Sequence, residues 1–439
     1  MKFAFIDYKH PKHGFANRDM TGGFGSGMSA KGVFGTLVKY LKKNNIRIPI
    51  LSFAYMAAIA RSYEHEVNLY TNMPVNEEVI IIATSIHHYK YEIELAKKIR
   101  KKLPLSKIGF IGPFSSEKPN LYREIADFIV SGEPESSFDY ICKNNYVPKG
   151  VFKSPRELDV NKLPFPDWDG FDLNSFGYSP ALPRKPFLTI QGSRGCPFAC
   201  EFCPYLVSQG IPLRRRSNDD IIEEIKYLIK KYKIKSLLFR DITWSMHKKE
   251  TKNLCKLIIN ENFDLDIGVE TRADTLDDEL INLMKEAGIK SVNLGIESPI
   301  DEILISSGRI PMKENKLERA IDKLHKNNIQ VQGFYILGLI NDTEESIKKT
   351  ISYSKKINSF TAQFCVLTPF PGTKTYKDLE KNLITKDYSN FNEYTPVVKI
   401  NGVNPERISY YVNKAYNSYY FRFSWLKKHG FRALSGFFK

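Results

Sequence analysis

Three cysteines crowded into eight residues are the feature of this sequence that most needs a chemical explanation. Cys196, Cys200 and Cys203 form the pattern C-x3-C-x2-C, whereas the other three cysteines are scattered along the chain. A cubane iron–sulfur cluster usually takes four thiolates, so three thiolates leave one iron with an open position. A metal with an open position can bind a substrate, whereas a fully ligated metal is structural. The spacing therefore predicts a 4Fe–4S cluster that takes part in chemistry.

Two structural explanations compete with a cluster: a zinc site and a set of unrelated buried thiols. Zinc prefers four ligands, usually supplied as paired knuckles. This sequence has neither a second cysteine pair nor a histidine within forty residues of the motif. Gly192 and Gly195 allow the backbone to bend tightly around a cluster. Aromatic neighbours such as Phe198 and Phe202 can shield it from water.

The cysteine motif directly follows the first of six strand-then-helix units in residues 185–400. The predicted strands are Pro186–Gln191, Lys235–Arg240, Asp264–Glu270, Lys290–Ser298, Ile329–Leu337 and Thr361–Val366. The helices are predicted to begin near Asn218, Lys248, Leu276, Asn315 and Glu344. Repeated right-handed βα units close towards a barrel, and eight units are needed for full closure. The sequence thus predicts a partial (β/α)6 TIM-like barrel that is open on one side, with its catalytic face at the carboxyl ends of the strands.

Polar residues also follow other strands of this predicted barrel. Asp241 follows the second strand, and Glu297 ends the fourth. Glu270 and Arg272 end the third. Ligands bind at this edge of a barrel, so these residues are candidates for a binding site. Strand ends also border loops and are often polar for that reason alone. For Arg272 the structural alternative is an ion pair with Glu270 or Asp274.

Residues 1–150 alternate apolar strands with helices and contain a glycine-rich loop at 22–27. The strands are predicted at Met1–Ile6, Glu66–Tyr70, Glu78–Ile86, Lys107–Ile111 and Asp127–Ser131, and the helices at Lys31–Asn44, Phe53–Tyr63, Tyr89–Lys102 and Ser136–Asn144. This alternation is typical of a parallel sheet covered on both faces. It predicts an α/β fold whose N-terminal domain is Rossmann-like and doubly wound. Ligands on such sheets bind outside the carboxyl ends of the strands.

A proline-rich linker over 151–184 separates the two regions, and a tail over 401–439 is predicted to be helical and is rich in aromatic and basic residues. The chain of 439 residues carries a formal net charge of +16, which favours anionic partners. A merely solvated, lysine-rich surface is the simpler explanation, because the basic residues are spread along the chain. Asp7 lies inside the N-terminal apolar run, which argues against a signal peptide, and the longest apolar stretch elsewhere, Ile48–Ala60, is too short to span a bilayer. We therefore expect a cytoplasmic protein with reduced cysteines.

The cysteine motif after the first strand of a six-unit barrel resembles the radical S-adenosylmethionine (SAM) superfamily over about residues 185–400. In that family, the amino and carboxylate groups of SAM bind the open iron. An electron from the cluster then splits SAM into methionine and a 5′-deoxyadenosyl radical. The resemblance implies that Cys196, Cys200 and Cys203 hold the cluster. It also implies that Arg272 pairs with the SAM carboxylate through its bidentate geometry, and that Glu297 binds the SAM ribose or ammonium group.

Two other segments bear on the same resemblance. Phe239-Arg240-Asp241 resembles a segment that lines the substrate side, which makes Asp241 a candidate cofactor-binding residue. The family usually carries Lys-Gly after the fourth strand, and this sequence has Ser307-Gly308-Arg309 instead.

The order of Rossmann-like domain, Leu-Pro-x-Pro linker and barrel resembles the radical SAM enzymes with a cobalamin-binding domain. That group contains class B radical SAM methyltransferases and the anaerobic Mg-protoporphyrin monomethyl ester cyclase, and Gly132-Glu-Pro-Glu135 resembles its Gly-Glu-x-Glu turn. Many cobalamin domains carry Asp-x-His-x-x-Gly, whose histidine binds cobalt. The segment Asp7–Gly14 does not fit that motif, so cobalamin would bind without a histidine ligand. A degenerate scaffold or a substrate domain is the alternative.

The resemblance implies a cradle for the cobalamin tail at the carboxyl edge of the N-terminal sheet. Its candidate residues are Gly22, Gly25, Gly27, Thr84, Ser85 and Gly112. The cofactors implied are therefore a 4Fe–4S cluster, SAM and cobalamin.

From this resemblance we expect a radical SAM enzyme that abstracts hydrogen from an unactivated carbon, for cobalamin-dependent C-methylation. An oxidoreductase, cyclase or epimerase without methyl transfer is the alternative, as is an iron–sulfur sensor without turnover. A tRNA-modifying protein is disfavoured, because Cys142, Cys255 and Cys365 are too dispersed for a second cluster.

The expected partners are a small-molecule, lipid or peptide substrate and a reductant such as flavodoxin or ferredoxin, whereas nucleic acid is not expected. The basic, aromatic tail is compatible with peripheral membrane contact. Closure of the open side of the barrel is the simpler role for the tail.

Overall fold

The N-terminal part of the chain folds around a six-stranded parallel sheet in the computed structural model, which describes residues 1–27, 40, 45–312 and 315–437. The strands are β1 (Lys2–Ile6), β2 (Glu66–Tyr70), β3 (Val79–Ala83), β4 (Lys107–Ile111), β5 (Phe128–Ser131) and β6 (Gly150–Lys153). The helices are α1 (Leu51–Ser62), α2 (Tyr89–Lys102), α3 (Pro113–Glu117) and α4 (Glu135–Asn144). The strand order β2-β1-β3-β4-β5-β6 reverses direction between β1 and β3. In such sheets, ligands bind at this switch point, outside the carboxyl ends of the strands.

Both faces of this sheet are covered, as the near-continuous apolar strands predict. Ala4 and Ile6 pack in a core with residues of α2, whereas Phe3 and Phe5 pack in a second core with residues of α1 and α4. The alternation arises because successive side chains of a strand point to opposite faces. The predicted helix Lys31–Asn44 falls outside the described residues, apart from Tyr40.

The segment between the two sheets is ordered and packs against both domains. Strand β6 begins at residue 150, so the first sheet extends three residues beyond the predicted domain end. Further along, Trp168 and Tyr178 are buried in the same apolar core as the second sheet. The proline-rich segment is therefore part of the packed structure.

The second sheet contains six parallel strands in sequence order. These are β7 (Phe187–Ile190), β8 (Ser236–Phe239), β9 (Asp266–Thr271), β10 (Ile289–Glu297), β11 (Gln330–Leu337) and β12 (Thr361–Val366). The main helices between them are α5 (Asn218–Tyr232), α6 (Lys248–Glu261), α7 (Asp278–Glu286), α8 (Lys316–Lys326) and α9 (Glu344–Ile357). Because β7 and β12 are the two edges, the sheet forms a partial barrel, and the predicted fold class is confirmed.

The C-terminal tail consists of α10 (Pro405–Tyr420), a short helix Phe423–Trp425 and α11 (Phe431–Phe437). Helix α10 covers the edge strand β12. The hydroxyl of Tyr416 accepts the N–H of Phe364 at 3.1 Å, and that of Tyr420 accepts the N–H of Ala362 at 3.0 Å. These bonds satisfy the backbone groups that an edge strand leaves exposed. Among the described residues, no helix is both long and apolar enough to cross a bilayer.

Candidate active site

The three clustered cysteines lie in the loop between β7 and α5, at the carboxyl edge of the barrel. The two-residue strands Ser193–Arg194 and Arg214–Arg215 pair in antiparallel fashion and close the base of this loop. Cys196 and Cys200 are buried, and Cys203 is half-buried. One short, closed segment therefore presents three thiols to the catalytic face.

The surroundings of Cys196 and Cys203 disfavour loss of their thiol protons. Burial is the largest cause that raises the pKa of Cys196 and of Cys203, and the charge of Cys200 adds to it. For Cys203 the pKa rises to about 12. Such thiols stay protonated at neutral pH until a metal displaces their protons. In the described parts of the chain, no three His, Cys, Asp or Glu side chains are placed to share one ion. A cubane does not require this, because each thiolate binds a different iron.

A cavity opens beside these cysteines and reaches strands β9 to β12. Six charged side chains line it: Arg240, Glu270, Arg272, Glu297, Arg309 and Glu393. Much of the remaining wall is apolar and includes Phe198, Phe202, Ile242, Phe334, Ile336 and Leu367. The cavity thus combines the three cysteines of the motif, a set of charged side chains and an apolar wall, which is the usual composition of a small-molecule site.

A bulge in β10 directs Glu297 into this cavity. The pairing of β10 with β11 shifts between Gly295 and Glu297, and Glu297 adopts a left-handed φ of 58°. A non-glycine residue in this conformation is strained, and such strain often occurs at functional sites. Its Oε1 lies 3.0 Å from Nη1 of Arg309, whereas its buried Oε2 has no hydrogen-bond partner. Burial raises the pKa of this carboxyl, and Arg309 opposes the rise.

Arg272 forms an ion pair with Asp274, as expected from the alternative to SAM binding in the sequence analysis. Its Nε and Nη2 donate to the two carboxylate oxygens of Asp274 at 3.0 and 2.7 Å. The guanidinium carbon also lies 4.2 Å from the ring centroid of Phe198. Phe198 is one of the three residues that separate Cys196 from Cys200 in the sequence. Its buried Nη1 has no hydrogen-bond partner. Asp274 and Phe198 therefore hold the guanidinium group in the cavity wall with one donor nitrogen still free to bind.

Asp241 does not line the cavity of the cysteines. Its carboxylate accepts the N–H of Gly192 at 2.9 Å and the hydroxyl of Ser193 at 2.5 Å. Burial raises its pKa to about 6. These contacts hold the start of the cysteine loop, so the structure places Asp241 under that loop and outside the cavity that the cysteines line.

Arg309 is a site residue that the sequence analysis did not select. It pairs with Glu297, its Nη2 donates to the carbonyl of Gly295 at 2.6 Å, and it lies beside the thiol of Cys200. It stands in the segment Ser307-Gly308-Arg309 that departs from the family pattern. The departure therefore places a buried cation between the cysteine loop and Glu297.

A second cavity lies between the carboxyl edge of the N-terminal sheet and the barrel. Gly22, Thr84 and Gly112 line it, as do residues that follow β5 and β6. The hydroxyl of Thr84 donates to the carbonyl of Ile111 at 2.9 Å. Among the described residues that line this cavity, none is a histidine.

The other three predicted cradle residues are not brought to this cavity. A Cβ on Gly25 would lie 2.9 Å from Cβ of Ser85, and one on Gly27 would lie 2.5 Å from Nε2 of His87. Ser85 is fully buried, and its hydroxyl donates to Glu92 at 2.8 Å. These glycines allow the loop to pack closely against the segment after β3. Ser85 takes part in a buried hydrogen-bond network.

The two cavities share part of their wall. Tyr205 and Arg240 line both of them. The guanidinium group of Arg240 donates to Asp19 of the N-terminal domain at 2.7 Å, and to Glu270 of the barrel at 2.8 Å. Its Nη2 donates to the Tyr205 hydroxyl at 3.1 Å. Arg240 therefore connects the two domains at the boundary between their cavities.

A buried ion network also joins the Gly132–Glu135 turn to the base of the cysteine loop. Arg194 lies 3.0 Å from Glu133 and 2.8 Å from Glu135. Arg214 donates to both carboxylate oxygens of Glu133, one of them at 2.9 Å. The exposed fraction of each of these side chains is below a tenth. We call these four residues the turn network.

A family model described as the radical SAM superfamily matches residues 190–353. The match begins at the end of β7 and covers the cysteine loop and strands β8 to β11. Residues 190–353 therefore form a radical SAM domain. Proteins with this domain are enzymes, and their cofactors, a 4Fe–4S cluster and SAM, are those that the sequence resemblance implies.

Similar proteins extend this likeness over most of the chain. An uncharacterised methyltransferase of Pyrococcus horikoshii is 29% identical over 432 residues, covering 88% of this chain and 93% of the relative. The anaerobic magnesium-protoporphyrin IX monomethyl ester cyclase of Rubrivivax gelatinosus is 25% identical and covers 77% of this chain and 66% of the relative.

A solved structure of the radical SAM methyltransferase TsrM from Kitasatospora setae, with cobalamin and a 4Fe–4S cluster bound, shares the fold. It superposes with a TM-score of 0.64 and 14% sequence identity, covering 87% of this chain and 74% of that chain. The predicted resemblance to the radical SAM enzymes with a cobalamin-binding domain is confirmed.

The cavity residues of this radical SAM chain fit the family's cofactors. Cys196, Cys200 and Cys203 provide three thiolates for a cubane. Nη1 of Arg272 and Oε2 of Glu297 are buried polar atoms without a partner in the wall of the same cavity. A buried unpaired polar atom is costly. One cationic donor and one anionic acceptor together match the carboxylate and ammonium groups of SAM.

We expect Arg272→Met to weaken SAM binding about 10- to 100-fold, because a hydrogen bond to a charged group contributes about 1.5–3 kcal/mol. Equilibrium binding of SAM to the reconstituted protein measures this, with iron content as the check on the cluster. Arg123→Met removes an exposed arginine and should leave binding unchanged. If Arg272→Met retains its iron and binds SAM as tightly as wild type, Arg272 does not bind SAM, and its role is confined to the ion pair with Asp274.

The radical SAM loop should also respond to a change at Gly22, across the domain boundary. Gly22 has a φ of 60°, and a Cβ there would lie 2.6 Å from the carbonyl carbon of Pro204, next to Cys203. Gly150 has a φ of 79° with open space around it. Both alanine variants carry a left-handed backbone cost of about 1–2 kcal/mol. Gly22→Ala should lose about 1–3 kcal/mol more through overpacking.

Thermal unfolding and iron retention measure the difference between Gly22→Ala and Gly150→Ala. We expect only Gly22→Ala to release iron on desalting, because its methyl group displaces the backbone that carries Cys203. Identical unfolding temperatures and iron contents in the two variants would contradict the close approach of the two segments.

Proposed function

We propose that this radical SAM enzyme transfers a methyl group to an unactivated carbon of its substrate and uses cobalamin to do so. The observation that supports the proposal is the shared wall of Tyr205 and Arg240 between the two cavities. One cavity carries the cysteines, and the other lies at the ligand-binding edge of a doubly wound sheet. Cofactors bound in the two cavities would be separated only by the layer of side chains that contains Tyr205 and Arg240.

The roles of the chain's own residues follow from their positions. When bound, the cluster and SAM supply a 5′-deoxyadenosyl radical that removes a hydrogen atom, and cobalamin supplies the methyl group. We propose that the three cysteines hold the cluster, and that Arg272 and Glu297 orient SAM. The apolar side chains of β11 and the residues around the cysteines exclude water from a reactive site.

The apolar wall also limits the substrate. Phe334, Ile336 and Leu367 line the cavity at the ends of β11 and β12, which favours a small molecule, lipid or peptide with an apolar portion. The enzyme needs an electron for each SAM cleaved, so we propose a reductant such as flavodoxin or ferredoxin. We further propose that the enzyme acts in the cytoplasm.

A pair of serine variants on α1 tests whether the second cavity holds cobalamin. Ser52 lines that cavity, whereas Ser62 is exposed at the other end of the same helix. The full-length protein is reconstituted without oxygen, incubated with hydroxocobalamin and desalted. We expect wild type and Ser62→Phe to retain corrinoid absorbance, and Ser52→Phe to lose it because the ring projects into space that the cofactor needs.

Cluster chemistry in the same samples separates the two cofactors. After dithionite reduction with SAM, all three proteins should form 5′-deoxyadenosine. Two results would contradict cobalamin binding in this cavity. Ser52→Phe could retain as much corrinoid as wild type, or wild type could retain none. Absence of 5′-deoxyadenosine from iron-loaded wild type would contradict the radical SAM activity itself.

A radical reaction without methyl transfer is the second candidate. The likeness to the cyclase of Rubrivivax gelatinosus favours it, because that relative is named for ring formation. SAM with a deuterated methyl group distinguishes the two functions. Label recovered in an organic product supports methylation, whereas 5′-deoxyadenosine formed with a product free of label supports the second candidate.

A further inference from the structure

The helical stretch at residues 423–433 has an inner face that is fixed to the barrel. The indole N–H of Trp425 donates to the carbonyl of Phe360 at 3.0 Å, and Nε2 of His429 lies 2.9 Å from the carbonyl of Asn358. Ala433 is also buried. These residues are spaced by four and therefore share one face of a helix. The opposite face cannot turn towards the barrel without breaking these contacts.

Large apolar side chains of this stretch, and that of Phe421 just before it, are in contact with solvent. Phe421, Phe423, Leu426 and Phe431 are exposed to 68, 79, 51 and 87%. Single exposed apolar residues are common, but a concentration of this kind on one short stretch marks an interaction surface. Closure of the barrel edge by α10 does not account for it, because α10 ends at Tyr420.

Basic side chains accompany these apolar residues. Lys427, Lys428 and Arg432 are exposed, and Nζ of Lys428 also lies 3.0 Å from Nδ1 of His325 on the barrel. Beyond Glu406 the sequence contains seven Lys and Arg residues and no Asp or Glu. Aromatic rings and basic side chains are the two features that bind a helix to the headgroup region of an anionic bilayer. We call Phe421, Phe423, Leu426, Lys427, Lys428, Phe431 and Arg432 the tail patch.

We propose that the tail patch binds the surface of a bilayer containing anionic phospholipid. A second copy of the chain is disfavoured as the occupant, because a symmetric contact would bring the same cations together. Nucleic acid would engage the cations but leave the exposed phenylalanine side chains without an apolar environment. A lipid interface satisfies both groups at once, because the rings enter the acyl boundary while the basic groups remain at the phosphates. This inference does not depend on the proposed methyl transfer.

Vesicle sedimentation with the full-length protein tests the proposal. Vesicles of phosphatidylcholine are compared with vesicles of phosphatidylcholine mixed with phosphatidylglycerol, at low and at high salt. We expect binding at least about tenfold tighter to the anionic vesicles, and a loss of this preference at high salt.

Two double variants separate the patch from general surface hydrophobicity. Phe423→Ser with Phe431→Ser removes the two most exposed rings of the patch, and we expect it to weaken binding at least about tenfold. Leu105→Ser with Leu158→Ser removes apolar side chains that are exposed to 92 and 71% elsewhere, and it should bind like wild type. Both should retain wild-type 5′-deoxyadenosine formation, since none of the four residues lines either cavity.

Three outcomes would overturn the proposal. The first is equal binding to neutral and anionic vesicles. The second is equal binding by the two double variants. The third is self-association of the wild type without lipid that disappears in Phe423→Ser/Phe431→Ser, since the tail patch would then be a contact between protein chains.

Discussion

Alanine at any one of Cys196, Cys200 or Cys203 is expected to reduce 5′-deoxyadenosine formation to the background of a reaction without protein. Two thiolates leave a cubane with two unanchored irons, and the cluster is lost or converted to a smaller form. The loop offers no replacement ligand, because its other side chains from residue 193 to 215 include no cysteine or histidine. SAM then has no iron to bind and receives no electron.

The measurement is made on protein reconstituted and reduced without oxygen. Iron and sulfide content, the electron paramagnetic resonance signal of the reduced cluster and 5′-deoxyadenosine are followed together. Cys255→Ala is the matched control, because Cys255 is buried in α6 and does not line the cavity of the motif. Turnover that survives in any of the three motif variants, or zinc in place of iron in the wild type, would contradict a cluster of this kind.

Many elements of the fold are predictable because their signals are local. Strands β4 and β12 coincide with the predicted Lys107–Ile111 and Thr361–Val366, since apolar strands there are sharply bounded. Helices α5 and α9 begin at the predicted residues because Ser217 and Thr343 precede them as N-caps. The cysteine motif is likewise local, since its chemistry depends on three residues within one loop.

The parts that sequence reasoning does not reach depend on distant neighbours. Glycines at 25 and 27 were candidates for a cofactor cradle, but Ser85 and His87 require their small size. Asp241 follows a barrel strand as a ligand-binding residue would, yet its partners are backbone and side-chain groups that follow β7. Arg309 joins the site only because the chain after β10 turns back to Glu297. None of these contacts produces a periodic pattern in the sequence from which it could be predicted.

The turn network should be among the most sensitive features of the structure outside the cluster. Glu133→Ala leaves Arg194 and Arg214 buried with incomplete charge compensation, so we expect it to lower the free energy of unfolding by about 3–5 kcal/mol. Denaturant unfolding measures the loss. Glu124→Ala removes an exposed glutamate of the same domain and should change stability by less than about 0.5 kcal/mol.

The network should also affect the cluster, because Arg194 and Arg214 belong to the paired strands that close the cysteine loop. Glu133→Gln keeps the shape of the side chain and removes its charge. At a temperature where Glu133→Gln is fully folded, we expect it to release iron faster than wild type. Iron retention equal to that of wild type would show that the turn stabilises the domains without holding the loop.

The pH dependence of stability gives an independent test that the charge of Glu133 matters. Burial alone would raise the pKa of Glu133, but hydrogen bonds and charge from Arg214 and Arg194 outweigh it and hold the pKa below its ordinary value. A carboxyl whose pKa is lowered on folding stabilises the protein above its unfolded-state pKa of about 4.3. That contribution disappears as the pH falls through the lower, folded-state pKa. The stability difference between wild type and Glu133→Gln should therefore be full at neutral pH and shrink in acid. A difference that stays constant down to the acid transition would mean that the shape of the side chain, and not its charge, connects the turn to the cysteine loop.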